Sequence, residues 1–163
     1  MVAVFSPLFS ESVLRELIDL TVRVGASECI DFVKVDVNVE LKCSELDVNV
    51  HTDWLLTSNG RTKVVVVHCK RGDGCFSKGL AQMVLGAETT LSDILQQNPS
   101  SDESVYGIAT NFVVWQFLQL NRHEARFCDV FFKTNKRRDS LDELTSIVSG
   151  LLRGDPLEIA GIY

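Results

Sequence analysis

The sequence has no apolar run near the roughly 20 residues that a membrane-spanning helix needs. Its first segment, MVAVFSPLFSES, lacks the basic stretch and the long apolar stretch of a secretory leader. An intracellular, non-secreted protein with no membrane partner is therefore expected. Positive charge is in deficit, since 16 Lys and Arg stand against 22 Asp and Glu, for a net charge of −6. Proteins that hold nucleic acid by bulk electrostatics carry the opposite sign, so any such site must be a local patch or depend on metal ions. The five cysteines are odd in number and include no CxxC pair, which points to reduced thiols. GxSxG, HExxH and a Gly-rich phosphate loop are also missing. What remains is a chain of 163 residues, 45% hydrophobic and 23% charged, enough for one domain with a real core.

Periodicity orders that core. From Ser10 to about Val24, apolar residues at Val13, Leu14, Leu17, Ile18, Thr21 and Val24 form a helical stripe, and Gly25 is expected to end the helix. From Phe32 to Leu41 the period becomes two, with Val33, Val35, Val37, Val39 and Leu41 on one face and Lys34, Asp36, Asn38 and Glu40 on the other. A turn at Cys43–Asp47 leads to a strand over Val48–Thr57. Ser58-Asn59-Gly60 then reads as a hairpin turn into a third strand, Lys63–Lys70, apolar on both faces and so central in its sheet. A helix over about Ser77–Thr89 precedes an exposed loop at Gln96–Ser104. YGIAT, VVWQFLQL and Arg126–Lys133 supply three more strands. Asp139 or Ser140 is expected to cap a last helix, with Ser140 and Glu143 as a capping box and Leu141, Leu144, Ile147, Val148 and Leu151 buried. The order α-β-β-β-α-β-β-β-α predicts an α/β fold, a mixed sheet flanked by helices on both sides.

The chemistry concentrates at the ends of the second and third strands. Asp53 lies inside an apolar strand, VNVHTDWLL, where a carboxylate is costly unless something uses it. In KVVVVHCK, His68 and Lys70 are two apart and leave one face of a strand. The Asn59-Gly60 hairpin makes the two strands neighbours, so Asp53, His68 and Lys70 can converge. An acid, an imidazole and a lysine suit a divalent cation beside a charge that orients water or phosphate.

These residues resemble the PD-(D/E)XK nuclease superfamily, in which an Asp ends one strand and a (D/E)-x-K triplet ends the next. Asp53 matches the first position, with Thr52 where the motif has Pro, and Lys70 matches the lysine. SESVLRELIDLTVRVGA is similar to the leading helix of restriction-type members, whose Glu maps to Glu11. GLAQMVLGAE is similar to their post-motif helix, whose Gln maps to Gln82, and YGIATNFVVWQF resembles the following strand pair. The likeness spans about residues 10–120, with a strand and helix over 126–153 completing one nuclease-like domain. It implies a restriction-endonuclease-like fold and metal-dependent phosphodiester hydrolysis of nucleic acid, DNA rather than RNA. Glu11, Asp53 and His68 would hold Mg²⁺ or Mn²⁺, Lys70 would hold the attacking water, and Gln82 would orient Lys70 or the substrate backbone.

His68 departs from this pattern, because it occupies the acidic position. Neutral imidazole suits Mn²⁺ or Zn²⁺ better than Mg²⁺, so activity would rest on compensation by Glu11, Glu40 or His51. His51 shares the face of Asp53 by period two. The competing expectation is a catalytically degenerate nuclease fold kept as a binding or scaffolding module in a larger complex, with a protein partner or a second copy. Its docking surface would lie away from Asp53, for example on RGDPLEIAGIY. Lys133, Lys136, Arg137 and Arg138 form the one basic cluster and could meet phosphate. A zinc set of His68, Cys69, Cys75, His123 and Cys128 is disfavoured, since Cys69 should face away from His68.

Overall fold

A computed structural model describes residues 10–29, 32–70 and 74–154. Among these, one six-stranded sheet runs in sequence order, β1 (Val33–Cys43), β2 (Val48–Ser58), β3 (Arg61–His68), β4 (Val105–Thr110), β5 (Val114–Leu120) and β6 (Ala125–Phe131). Every adjacent pair is antiparallel except β3 and β4, which are parallel. That pair needs a crossover, and α2 (Cys75–Gln97) supplies it. Helices α1 (Glu11–Ser27) and α3 (Arg137–Arg153) complete the order, which is the expected one. The C-terminal segment beginning at position 155 lies outside the described residues.

The sheet separates two apolar layers. On one side Leu14, Ile18 and Val22 of α1 and Leu144, Val148 and Leu151 of α3 pack on Trp54, Leu56, Val64, Val66, Ile108, Trp115 and Phe117. On the other, Met83, Ala87 and Leu91 of α2 pack on Val67, Val105, Ala109, Leu118 and Leu120. Val64–Val67 of β3 are buried on both faces, as the unbroken valine run requires of a central strand. At the β2–β3 turn Asn59 and Gly60 have φ of 53° and 74°. Two successive positive φ values make the primed turn whose twist matches an antiparallel pair.

Four local expectations are corrected. Gly25 does not end α1, which continues to Ser27. A Cβ on Gly25 would lie 2.7 Å from Val148 Cβ and 3.0 Å from the Thr145 carbonyl, so the residue is small because α3 crosses there. Helix α2 runs to Gln97, taking Gln96 and Gln97 out of the expected loop. Ser140 caps nothing, because α3 begins earlier, at Arg137, and its N-cap Lys136 makes no side-chain cap bond. Ser140 is buried instead, and its Oγ accepts from the Lys133 N–H at 3.0 Å, which fixes the turn before α3. Val24 and Leu141, expected on buried stripes, are 39% and 37% exposed.

The alternation of β1 and β2 breaks in mid-strand. Trp54 faces α1, where its indole Nε1 donates to Asp19 Oδ1 at 2.6 Å. Thr52, two residues earlier, faces α2, with its methyl 3.5 Å from where a Cβ on Gly86 would stand. On β1, Val35 packs in the α1 layer while Leu41 reaches Gly86. Between these points Asn38 has φ of 55°, and the register pairs Val37 with Trp54 and Val39 with Thr52. Asn38 and Asp53 therefore occupy a twist where both strands exchange faces, and this twist aims Asp53 at the start of α1.

Candidate functional site

Asp53 is 8% exposed, and both of its carboxylate oxygens are engaged. Oδ2 accepts the backbone N–H of His68 at 2.7 Å. The β2–β3 register reaches Trp54 and Val66 and goes no further, so the carboxylate serves a strand-end donor that the ladder leaves over. Oδ1 accepts a hydrogen bond from an Arg15 Nη, which is also an ion pair. The other Arg15 Nη donates to Asn38 Oδ1 at 2.8 Å, and the guanidinium carbon stands 4.7 Å from the centre of the Trp54 ring. A carboxylate, an amide oxygen and an aromatic face thus fix this one cation, each suited to the planar charge of arginine.

His68 points toward the same helix. Its side chain is 6% exposed, and Nε2 stands 3.4 Å from Glu11 Oε2. Burial lowers the pKa of His68 from its ordinary 6.5, against the opposing pull of Asp53 and Glu11 and with further help from the Arg15 and Lys70 charges. The ring is therefore neutral near pH 7. Lys70 follows the end of β3 and is exposed, so its charge reaches His68 without being buried in the cluster. Cys69 faces the other way, with its sulfur in the notch left by Gly79 of α2, and burial raises its thiol pKa to about 12. The expected separation of His68 and Cys69 is thus observed.

Of the residues singled out from the sequence, Glu11, Asp53 and His68 come together, with Lys70 at the margin. Gln82 does not join them. It is exposed on α2, on the opposite side of the sheet from α1, and makes no hydrogen bond to Asp53, His68 or Lys70 among the described residues. Glu40 and His51 are register partners on β1 and β2, both exposed, while Asp53 is buried. The face exchange at Asp53 undoes the period-two argument that placed His51 beside it. Lys133, Lys136, Arg137 and Arg138 are exposed around the start of α3. The five cysteines form no disulfide.

Sequence reasoning missed Arg15. Its signal lay in the spacing of Glu11, Arg15, Asp19 and Arg23, four apart along α1. Such a ladder suggests pairs within the helix. Asp19 and Arg23 do pair, at 2.8 Å, but Arg15 turns to the sheet and Asp19 also takes the Trp54 indole.

A divalent cation needs free oxygen lone pairs and an excess of negative charge. Asp53 offers neither freely, since one oxygen holds a guanidinium and the other an amide. Among the described residues no group of three or more His, Cys, Asp or Glu side chains is arranged to hold a metal ion. The residues present do not fit Mg²⁺. No described helix is long and apolar enough to cross a membrane. No protein-family model, curated protein or solved structure matches the chain.

Proposed function

We propose that the chain is a restriction-endonuclease-like domain whose catalytic position has become a structural ion pair, and that it works as a binding or scaffolding module for a protein partner. Support for the architecture comes from the order α1-β1-β2-β3-α2-β4, with three antiparallel strands followed by a parallel crossover. Support for lost catalysis comes from one observation above the others. The Arg15 guanidinium occupies the carboxylate of Asp53, where the resembled family places its cation.

A second reading, metal-dependent phosphodiester hydrolysis, draws on Glu11 Oε2 and His68 Nε2 lying 3.4 Å apart beside Asp53. In that case Mn²⁺, which accepts imidazole, would have to displace Arg15. Calorimetric titration of Mn²⁺ and Mg²⁺ into wild type and Asp53→Ala separates the two, with cleavage of plasmid DNA and single-stranded RNA followed in the same buffers. The scaffold reading expects no saturable metal binding and no cleavage. Metal binding that disappears in Asp53→Ala, with cleavage that follows the metal, overturns it.

A further inference from the structure

Helix α2 and the β1–β2 turn enclose a cleft of about 710 Å³ on the side of the sheet away from Asp53. Its apolar surface includes Leu46, which is 60% exposed at the turn, together with Leu85 and Leu95 of α2. Its charged groups are Glu45, Glu88 and Asp93, and no lysine or arginine is among the described residues that line it. Ser92 Oγ donates to Glu45 Oε1 at 3.5 Å, which ties the turn to the helix at one point.

We propose that this cleft docks an amphipathic helix of a protein partner, with leucine-like side chains on one face and lysine or arginine on its flanks. The proposal rests on the scaffold reading and names the partner that reading requires. Leu46 is an apolar side chain that this chain leaves open to solvent, and with the half-buried Leu85 and Leu95 it offers apolar surface that a partner's leucines can cover. Leu85 and Leu95 are ten residues apart, about 15 Å along a helix, which matches two to three turns of an incoming helix. The sign of the rim selects the partner. Three carboxylates without a cation repel nucleic acid and anionic lipid and attract a basic flank, and the net charge of −6 adds to that field at long range.

The test uses the full chain and two fluorescein-labelled synthetic helices of roughly 18 residues. One repeats Leu and Lys, and the other has the same leucine pattern with Glu in place of Lys. Binding is read by anisotropy with wild type, Leu46→Asp and the double variant Glu88→Lys/Asp93→Lys. All three altered side chains border the cleft, and thermal melts verify that the variants stay folded. The Leu/Lys helix should saturate one site at least about tenfold more tightly than the Leu/Glu helix, and either variant should weaken it by about tenfold. Equal binding of the two helices, or binding indifferent to both variants, overturns the proposal. So does a concentration-dependent dimer that Leu46→Asp breaks, because the cleft would then belong to a second copy. Plasmid cleavage in Mn²⁺ by the same preparations overturns the scaffold reading, whereas loss of peptide discrimination without cleavage overturns only the cleft.

Discussion

Replacing Asp53 by Asn separates a structural carboxylate from one kept for a cation, because the two roles predict opposite signs. The substitution keeps the shape and removes the charge. The introduced side chain can still accept the His68 N–H, now 2.7 Å from Oδ2, through its own amide oxygen. Its NH₂ group then faces the Arg15 guanidinium, donor against donor. The charge-assisted bond that is lost is worth about 1.5–3 kcal/mol. Arg15 keeps Asn38 and Trp54, and its side chain is 34% exposed, so returning hydration offsets part of the loss. The lower half of the range applies, about 1.5–2 kcal/mol, or roughly 3–8 °C in the melting temperature of a chain this size. A carboxylate held in reserve for a cation would instead repel Glu11 in the metal-free protein, and neutralising it would stabilise the fold. Urea denaturation followed by far-ultraviolet circular dichroism, in EDTA, measures the difference. An unchanged or raised midpoint for Asp53→Asn, with the slope unaltered, refutes the structural pairing. Combining it with Arg15→Gln should recover at least about 1 kcal/mol of coupling between the two sites.

Gly79→Ala should destabilise the protein by about 1–2 kcal/mol, because its Cβ would stand 2.3 Å from Cys69 Sγ and the crowding exceeds the gain in helix propensity. Adding Cys69→Ala should return most of that loss in urea denaturation, and failure to do so would mean that the close approach is not what requires glycine. Acid sensitivity follows from His68, whose pKa is lower in the folded than in the unfolded chain. Its contribution is complete above pH 6.5 and is lost as the pH falls through the depressed folded value, since the unfolded state takes up the proton first. The slope of unfolding free energy between pH 7 and pH 5 should therefore flatten in His68→Asn. For Cys69 the sign is reversed: its thiol is ordinary at 9.0 and rises to about 12 when folded, so its share of stability is lost as the pH climbs from 9 toward 12. Cys69→Ala should remove that alkaline loss in equilibrium denaturation.

The strands were legible because alternation and turn chemistry are local signals. Val64–Val67 and Asn59-Gly60 needed no tertiary information to announce a central strand and a tight hairpin. What escaped was set by contacts between elements. Gly25 carries the signature of a helix end, and only the crossing of α3 shows that it is a point of close approach. Ser140 and Glu143 satisfy the capping-box spacing, yet the helix begins earlier at Arg137, and the Ser140 hydroxyl serves Lys133. The face exchange at Asn38 and Asp53 was hidden for a similar reason. The sequence of β1 keeps a clean period of two, whereas the exchange goes with the positive φ of Asn38, a backbone state that alternation does not announce.

The candidate site shows the same division at the level of charge. A carboxylate in a buried strand must be used by something, and that inference from the sequence agrees with the contacts around Asp53. The users were misjudged, because one is a backbone amide and the other an arginine from a helix 38 residues away in the chain. Formal charges show why the pairing needs no metal. Glu11 and Asp53 are negative, Arg15 and Lys70 are positive, and His68 is neutral, so the group sums to zero. On the nuclease-like reading proposed above, an acid at position 68 and an Asp53 without Arg15 would leave the same group two charges more negative. That difference equals the charge of one divalent cation. On that reading histidine at 68 removes half of it and Arg15 supplies the other half. An acid placed at position 68 alone, as in His68→Asp, should therefore destabilise the fold rather than create a metal site, because Arg15 would still hold Asp53 while a further carboxylate was buried against Glu11.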